Sequence, residues 1–295
     1  MTDSDREYEE LALLAASDDP TDVDRAHEQA LLRMGKMPQA KIVAAMAYDR
    51  TRAFAGRAQK FGTQSVLTAG QRVLWPVDSG TTDSERAKWL IGSLAELHRV
   101  AGTAPEVTKA HLRRLLRARR EALQKAQLAM FAERIAEHGS AALPVDGAAV
   151  VAAYWPLPGE ADPRLLARQL AKQHGLRLAL PVVDGDDMTF REWLDDDSLQ
   201  PAGFGTLGPG PTATELQPTI VLAPLVGFDR TGARLGQGKG FYDRKLAAVA
   251  GRAPLVVGIA CSCQEVPVVP TEVHDRRLDV LVTEVAAVTF APPPS

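Results

Sequence analysis

Ten consecutive residues, Arg234-Leu235-Gly236-Gln237-Gly238-Lys239-Gly240-Phe241-Tyr242-Asp243, carry the densest chemistry in this 295-residue chain. Glycines at alternate positions let a backbone approach a ligand closely and turn its amides toward an anion. Arg234 and Lys239 bring fixed positive charge suited to phosphate oxygens. Asp243 is a ligand of the type Mg²⁺ takes, one or two carboxylates completed by phosphate oxygens and water. A helix beginning near Phe241 adds the positive end of its dipole. A nucleoside triphosphate site uses all of these groups. The run is not a P-loop, because Gly240 follows Lys239 where Ser or Thr would stand, and Phe241 takes the third glycine position of the dinucleotide fingerprint. A flexible turn explains the glycines alone, but not Arg, Lys, Tyr and Asp in the same block.

The elements that must position this loop follow from hydrophobic patterning. Val150–Tyr154, Leu178–Pro181, Ile220–Pro224, Leu255–Ala260 and Val280–Val282 read as short apolar strands. Between them lie helical stretches at Pro163–His174, ending at Gly175, and at Phe241–Val249. A helix rich in Lys and Arg is expected from about Thr108 to Glu137. Strand–helix alternation with near-continuous apolar strands predicts an α/β fold: an open, mostly parallel sheet covered by helices on both faces. From Asp195 to Pro218 a Gly/Pro-rich segment reads as a lid, a pocket wall or a mobile loop. Residues 7–16, 22–34 and 38–54 have helical periodicity, followed by a hairpin across Thr68-Ala69-Gly70 and a helix from about Thr82 to Arg99. The small, aperiodic run Ala101–Pro105 puts the domain boundary there: a mainly helical accessory domain, 1–105, then an α/β domain, 106–295.

Lys and Arg total 34 against 37 Asp and Glu, a net charge of −3 that argues against general nucleic-acid binding. Apolar residues at 45% and charged ones at 24% describe an ordinary globular chain. Cys261 and Cys263, one residue apart, are badly spaced for a disulfide and lack partners for a zinc site; they read as two small hydrophobes in a strand. The acidic, apolar-poor start and the lack of any run of about 18–20 apolar residues point to a cytoplasmic protein without a membrane span.

Four further motifs share an order with the glycine loop: Lys109-Ala110-His111-Leu112-Arg113; Tyr154-Trp155-Pro156 with Glu160; Leu222 to Asp229 leading into the loop; and Gly258-Ile259-Ala260, Gln264-Glu265 and Pro270-Thr271-Glu272-Val273-His274-Asp275. Over about residues 107–288 the chain resembles the 5-formyltetrahydrofolate cyclo-ligase family, also called methenyltetrahydrofolate synthetases. The resemblance implies ATP- and Mg²⁺-dependent closure of 5-formyltetrahydrofolate to 5,10-methenyltetrahydrofolate, with release of ADP and phosphate. It implies ATP binding by Lys109 and Arg113 and by Arg234, Leu235, Gly236, Gln237, Gly238, Lys239, Gly240, Phe241 and Tyr242, with Arg234, Lys239 and Tyr242 at the catalytic centre. The i, i+4 spacing of Lys109 and Arg113 places both on one helical face. Trp155 and Glu160, with Gly238, Lys239 and Gly240, would meet the folate; Asp243 and Asp275 would hold Mg²⁺; Met188 and Phe190 are further candidate walls.

Other readings stand beside these. Apart from Lys109 and Arg113, the basic helix reads as a solvated face, Glu160 reads also as an acid at a helix start, and His274 is as well explained by structure as by function. Gly208 departs from the family, whose pattern has an acid there before Pro209. The implied partner is a small molecule, 5-formyltetrahydrofolate with or without a polyglutamate tail, and neither nucleic acid nor membrane. Residues 25–98, with Asp49-Arg50 and Gly56 to Gln64, resemble part of a bacterial family of unknown function; Asp49, Arg50, Gln59 and Gln64 could mark a site or supply caps and hairpin bonds. A non-catalytic folate- or nucleotide-binding module, or a scaffold acting through the first domain, is the alternative. If the leading reading holds, residues from 106 onward are expected to turn over alone.

Overall fold

The computed structural model describes residues 3–145, 149–185, 187–194, 199–247, 253–273 and 275–291, so His274 and the end of the expected 241–249 helix lie outside the described residues. Two compact units emerge: Met1–Leu115 with Val266–Val273, and Leu116–Glu265 with His274–Ser295.

The first unit opens with helices α1 (Asp3–Ala15), α2 (Pro20–Arg33) and α3 (Ala40–Phe54). Asp19 caps α2 by accepting from the Thr21 amide at 2.8 Å, and Pro20 occupies a first-turn position where no amide hydrogen is needed. Their core is dominated by small side chains, Ala15, Ala26, Ala30, Ala40, Ala44 and Ala47 around Leu11, Val23 and Val43. Strands β1 (Ser65–Thr68) and β2 (Gln71–Leu74) form the expected hairpin. Ala69 and Gly70 both have positive φ, 48° and 80°, as a two-residue turn between twisted strands requires. The helix expected over 82–99 comes as two, α4 (Asp83–Lys88) and α5 (Leu94–Arg99). Leu90 turns left-handed, with φ 58°, and Ser93 with Glu96 forms a capping box that starts a new helix.

The four polar residues of this region are internal braces. The buried Asp49 carboxylate on α3 accepts from the backbone amides of Lys60, Phe61, Gly62 and Thr63 and from the Thr63 hydroxyl, at 2.7–3.1 Å. Gln59 bridges both chains of the hairpin base, donating to the carbonyls of Gln64 and Trp75 and accepting from the Gln64 amide. Arg50 donates to Asp18 and Gln64.

Helix α6 (Lys109–Glu121) contains the boundary between the units. The long basic helix expected to Glu137 stops there, and α7 (Lys125–Ala142) restarts from Gln124, which forms a capping box with Gln127. The second unit continues through β3 (Val150–Ala152), α8 (Arg164–His174), β4 (Arg177–Asp184), β5 (Asp187–Glu192), β6 (Gln200–Pro201), β7 (Leu207–Gly208), β8 (Ile220–Pro224), β9 (Gly227–Phe228), β10 (Arg234–Leu235), α9 (Phe241–Ala247), β11 (Leu255–Ile259), β12 (Val280–Val282) and β13 (Ala287–Thr289). A seven-stranded sheet has the order β13-β12-β11-β8-β3-β4-β5; its five inner strands are parallel and its two edges antiparallel.

Strand residues alternate between two buried faces. Val151, Leu178, Leu180, Ile220, Leu222, Val257 and Val280 pack with Ile135, Leu166 and Leu170 of α7 and α8. Ala152, Ala179, Val221, Ala223, Val256 and Leu281 pack with Met188, Phe190, Phe228 and Leu246 on the other. Burial on both faces is why these strands read as continuous apolar runs. Cys261 and Cys263 are free thiols past the end of β11, not strand residues; burial pushes the Cys261 thiol up to about 12. No helix among the described residues is long and apolar enough to cross a membrane.

Replacing Asp49 with Ala leaves its amide donors buried without an acceptor, so urea unfolding of Asp49→Ala should show the first unit destabilised by about 3 kcal/mol. His111 gives a second expectation. Its ring lies against Phe54, its Nε2 meets Asp18 at 2.9 Å, and burial together with Arg50 and Arg114 holds its pKa below the ordinary 6.5, with Asp18 opposing. The folded state then binds fewer protons than the unfolded one, so stability is full above pH 6.5 and falls as pH drops toward the lowered value. His111→Gln should remove that part of the slope in melts recorded between pH 5 and 8, where a histidine titrates.

Candidate active site

In the sheet, β3 has β4 on one side and β8 on the other, so the strand order reverses between β3 and β8. Chain leaving the carboxyl ends of such neighbours runs to opposite sides and opens a crevice. From β3 the chain passes Tyr154 and Trp155 into a turn closed by Glu160, whose amide donates to the Leu157 carbonyl and whose Oε2 accepts from the Leu157 amide. From β8 it passes through the β9–β10 hairpin into the glycine loop. Asp229 tightens that hairpin by accepting from the Thr231 amide and hydroxyl and from the Ala233 amide. Buried Gln264 braces its base, donating to the carbonyls of Leu225 and Val226.

One carboxylate joins the two sides of the crevice. Glu160 Oε1 accepts from Gln237 Nε2 at 2.9 Å and from Arg120 of α6 at 3.4 Å. Gln237 Oε1 in turn accepts from Arg117 at 2.7 Å. Glu160 and Arg120 side chains are 6% and 8% exposed, so this ion pair lies out of water. Two buried polar atoms beside it have no hydrogen-bond partner among the described residues, the Tyr242 hydroxyl and Arg120 Nε. Burial, and then the charge of Glu160, hold the Tyr242 phenol protonated well above its ordinary range. Unpartnered donors collected around a buried acid are what a polar ligand would complete.

Arg234 reaches from β10 to the Asp243 carboxylate at the start of α9 and to the Arg276 carbonyl, 2.6 Å away. Burial lowers its pKa; Asp243 and then Asp275 draw it back up. Both proposed metal acids therefore lie within the field of one guanidinium. Among the described residues no group of three or more His, Cys, Asp or Glu is placed to hold a metal ion. Two carboxylates suit a cation that arrives with phosphate oxygens better than a resident one.

The loop itself is open. Gly238 and Gly240 have φ values of 100° and 70°, where glycine is favoured. The Lys239 ammonium lies over the Phe204 ring at 5.5 Å, and that ring packs on Phe241 at 5.3 Å. Phe204 comes from the Gly/Pro-rich segment, so part of that segment stands against the loop.

The expected residues thus fall into three groups. Glu160, Gln237, Tyr242, Arg234, Asp243 and Asp275 are tied by bonds or charge within the second unit. Trp155 lies in the same unit with the Arg164 guanidinium stacked on its ring at 4.2 Å. Lys109 and Arg113 belong to the first unit, where Lys109 pairs with Glu272 at 3.0 Å. Leu235, Met188 and Phe190 are buried in the fold. Gly208 has no room for the family's acid: a Cβ there would lie 2.8 Å from the Ala202 side chain and 3.1 Å from the Pro181 carbonyl.

The basic run on α6 is not a solvated face throughout. Arg120 pairs with Glu160, Arg117 holds Gln237, and Arg119 donates to the carbonyls of Cys263 and Glu265. The i, i+3 spacing of Arg117 and Arg120 was the available signal for a shared face, masked by so many neighbouring cations.

Residues 105–284 match the model of the 5-formyltetrahydrofolate cyclo-ligase family. The chain belongs to that family. It is 32% identical over 177 residues to the Haemophilus influenzae 5-formyltetrahydrofolate cyclo-ligase, covering 57% of this chain and 92% of the relative. The Escherichia coli K12 cyclo-ligase is 31% identical over 176 residues, with coverage of 57% and 96%. The Aquifex aeolicus 5,10-methenyltetrahydrofolate synthetase structure superposes with a TM-score of 0.55 at 29% identity, covering 63% of this chain and 95% of that one. The cyclo-ligase region therefore spans nearly the full length of these relatives, and six of the seven sheet strands, all but β13, lie within it together with the crevice.

Two variants separate ligand-directed groups from structural ones. Tyr242→Phe removes a hydroxyl that has no partner among the described residues, so the melting temperature of the free protein should be unchanged or higher. Glu160→Gln leaves Arg120 buried without its counter-charge and should cost about 3 kcal/mol in chemical denaturation.

Proposed function

We propose that this chain closes 5-formyltetrahydrofolate to 5,10-methenyltetrahydrofolate, using ATP and releasing ADP and phosphate. The observation that carries the reading is the bond between Glu160 and Gln237, which joins the glycine loop to the acid of the β3 turn, in a chain of the cyclo-ligase family.

The formyl oxygen on N5 is a poor leaving group. Transfer of the ATP γ-phosphoryl group to that oxygen releases ADP and converts it into a phosphate ester. N10 then attacks the formyl carbon, the carbon–oxygen bond breaks, phosphate departs, and N10 loses its proton as the five-membered ring closes. Positioning and charge neutralisation dominate such a transfer, so no side-chain nucleophile is needed.

Lys239 and the amides of Gly236, Gly238 and Gly240 hold phosphoryl oxygens, with Leu235, Gln237 and Phe241 completing the loop. The family motif that Lys109 and Arg113 match assigns these two cations to the nucleotide as well. Glu160 accepts from the amino donors of the pterin, and Trp155 offers its ring edge and remaining surface to the flat heterocycle. Tyr242 keeps an unspent, protonated hydroxyl within the field of the same acid. Arg234 holds Asp243 by a hydrogen bond and lies within the field of Asp275. These two acids would hold Mg²⁺, which supplies neutralisation of the charge on the transferring phosphate oxygens.

Purified protein given 5-formyltetrahydrofolate and MgATP should develop the near-ultraviolet absorbance of the conjugated methenyl product. Lys239→Ala, at an exposed position, should keep the fold and lower turnover about a hundredfold. A folded wild-type protein that produces neither methenyl absorbance nor ADP overturns the reading.

A further inference from the structure

The family match begins at residue 105, yet two of its segments group with the first hundred residues: positions 105–115 and Val266–Val273. One four-residue strand accounts for much of this. β1 gives one edge to β2. Ser65 and Leu67, two residues apart, present their backbone groups to the other edge. There the Ser65 amide donates to the Pro105 carbonyl at 2.8 Å, and the Ser65 carbonyl accepts from the Val107 amide at 2.8 Å. The Ser65 hydroxyl adds a bond to the Ala104 carbonyl. Further along the same edge, the Leu67 carbonyl accepts from the Thr271 amide at 3.0 Å, and the Ala69 amide donates to the Thr271 hydroxyl at 3.1 Å.

Side chains of the helical part reinforce the first of these segments. Arg50 donates to the Glu106 carbonyl and to Asp18. Asp18 also meets His111 of α6, and its carbonyl accepts from Arg114. The ion pair between Lys109 and Glu272 joins the two held segments to each other. One segment leads into α6, and the other is Val266–Val273.

We propose that the first hundred residues are a positioning clamp for nucleotide-binding groups: β1 sets the register of the segment bearing Lys109 and Arg113 against the segment Val266–Val273, whose Glu272 pairs with Lys109. This rests on the proposed function, under which Lys109 and Arg113 serve the nucleotide. Asp18, Ser65 and Thr271 are positioning residues and touch no substrate. Two segments more than 150 residues apart in the chain would otherwise have to be ordered as the nucleotide binds, and prior ordering spares that loss of affinity. Cutting at 105 would strip the amides of buried Val107 and Thr271 of their acceptors, so under the clamp the residues from 106 onward are not a self-sufficient enzyme.

The test uses the full chain. Thr271→Val removes the acceptor of the Ala69 amide at constant shape, and Asp18→Ala removes the oxygen that accepts from Arg50 and His111. Each should raise KM for MgATP about fivefold, the loss of roughly one net hydrogen bond, with kcat and the folate KM within about twofold. Thr271→Ser should restore the wild-type value, and Gln71→Ala, on the exposed start of β2, should match it throughout. An unchanged KM for MgATP in both folded variants overturns the clamp. Hydrogen exchange of the same proteins separates the two readings. If the wild type does not cyclise folate, the proposed function fails alone, and the clamp is judged by protection of the Ala69 and Thr271 amides. Protection lost in Thr271→Val and regained in Thr271→Ser supports it; identical exchange in all three overturns it.

Discussion

The reversal of strand order between β3 and β8 is the constraint on which the site depends. It brings two chain exits side by side and sends them apart, leaving backbone and side-chain polar groups at a place where neither helix nor sheet can satisfy them. Glu160 resolves that problem with one carboxylate. It accepts from its own turn, from the glycine loop and from α6, so three segments that share no backbone ladder are held by one acid. Burying an ion pair is a poor route to stability, because desolvation offsets most of the attraction. Its value here is geometric: a Glu160–Arg120 pair accepts few alternative arrangements, and the Gln237 side chain is fixed with it.

A loop that must wrap a ligand needs freedom in the middle and none at its ends. The second unit meets both requirements with short-range chemistry. The Asp229 turn and Gln264 make the entry rigid, while Arg234 on Asp243 closes the exit. Between them, Gly236 has no neighbouring atom within 4 Å of where a Cβ would stand. The tilted ring pair of Phe204 and Phe241 flanks this open stretch, and Phe204 gives the Lys239 ammonium an aromatic face while it is exposed.

Much of this was legible in the sequence, and the reasons are physical. β8 and β12 begin and end where the apolar runs do, because a strand buried on both faces has no polar positions to blur its limits. α8 stops at Gly175, whose left-handed φ of 69° marks a helix end. The two long helices were misjudged because amphipathic periodicity persists across a break, whereas the breaks at Ser93 and Gln124 are set by side-chain caps. Side-chain roles beyond the motifs were harder to read. Arg113, Arg117 and Arg120 look alike in sequence; only the fold brings Glu160 to one and Gln237 to another. The antiparallel edges, β5 and β13, were missed for the opposite reason, since Asp187–Glu192 mixes apolar and charged residues and has a partly exposed face.

The N-terminal residues that first suggested a site show how a polar cluster can be wholly internal. Asp49 accepts from the amides of one loop, Gln59 accepts from and donates to the hairpin base, and Arg50 donates to Asp18 and Gln64. Their combined effect is to present β1 as a rigid strand with one unoccupied edge, and such an edge is a liability in a free-standing domain, where it recruits other chains. In this protein the edge is filled by residues 105–107 and Thr271 of the cyclo-ligase region. Completion is mutual: the strand loses its exposed edge, and the two segments gain partners that their own sheet does not supply. A hydrogen-bonding need on one side and an ordering need on the other are met by the same five bonds, which explains why polar braces in the first unit bear on residues of a family they do not belong to.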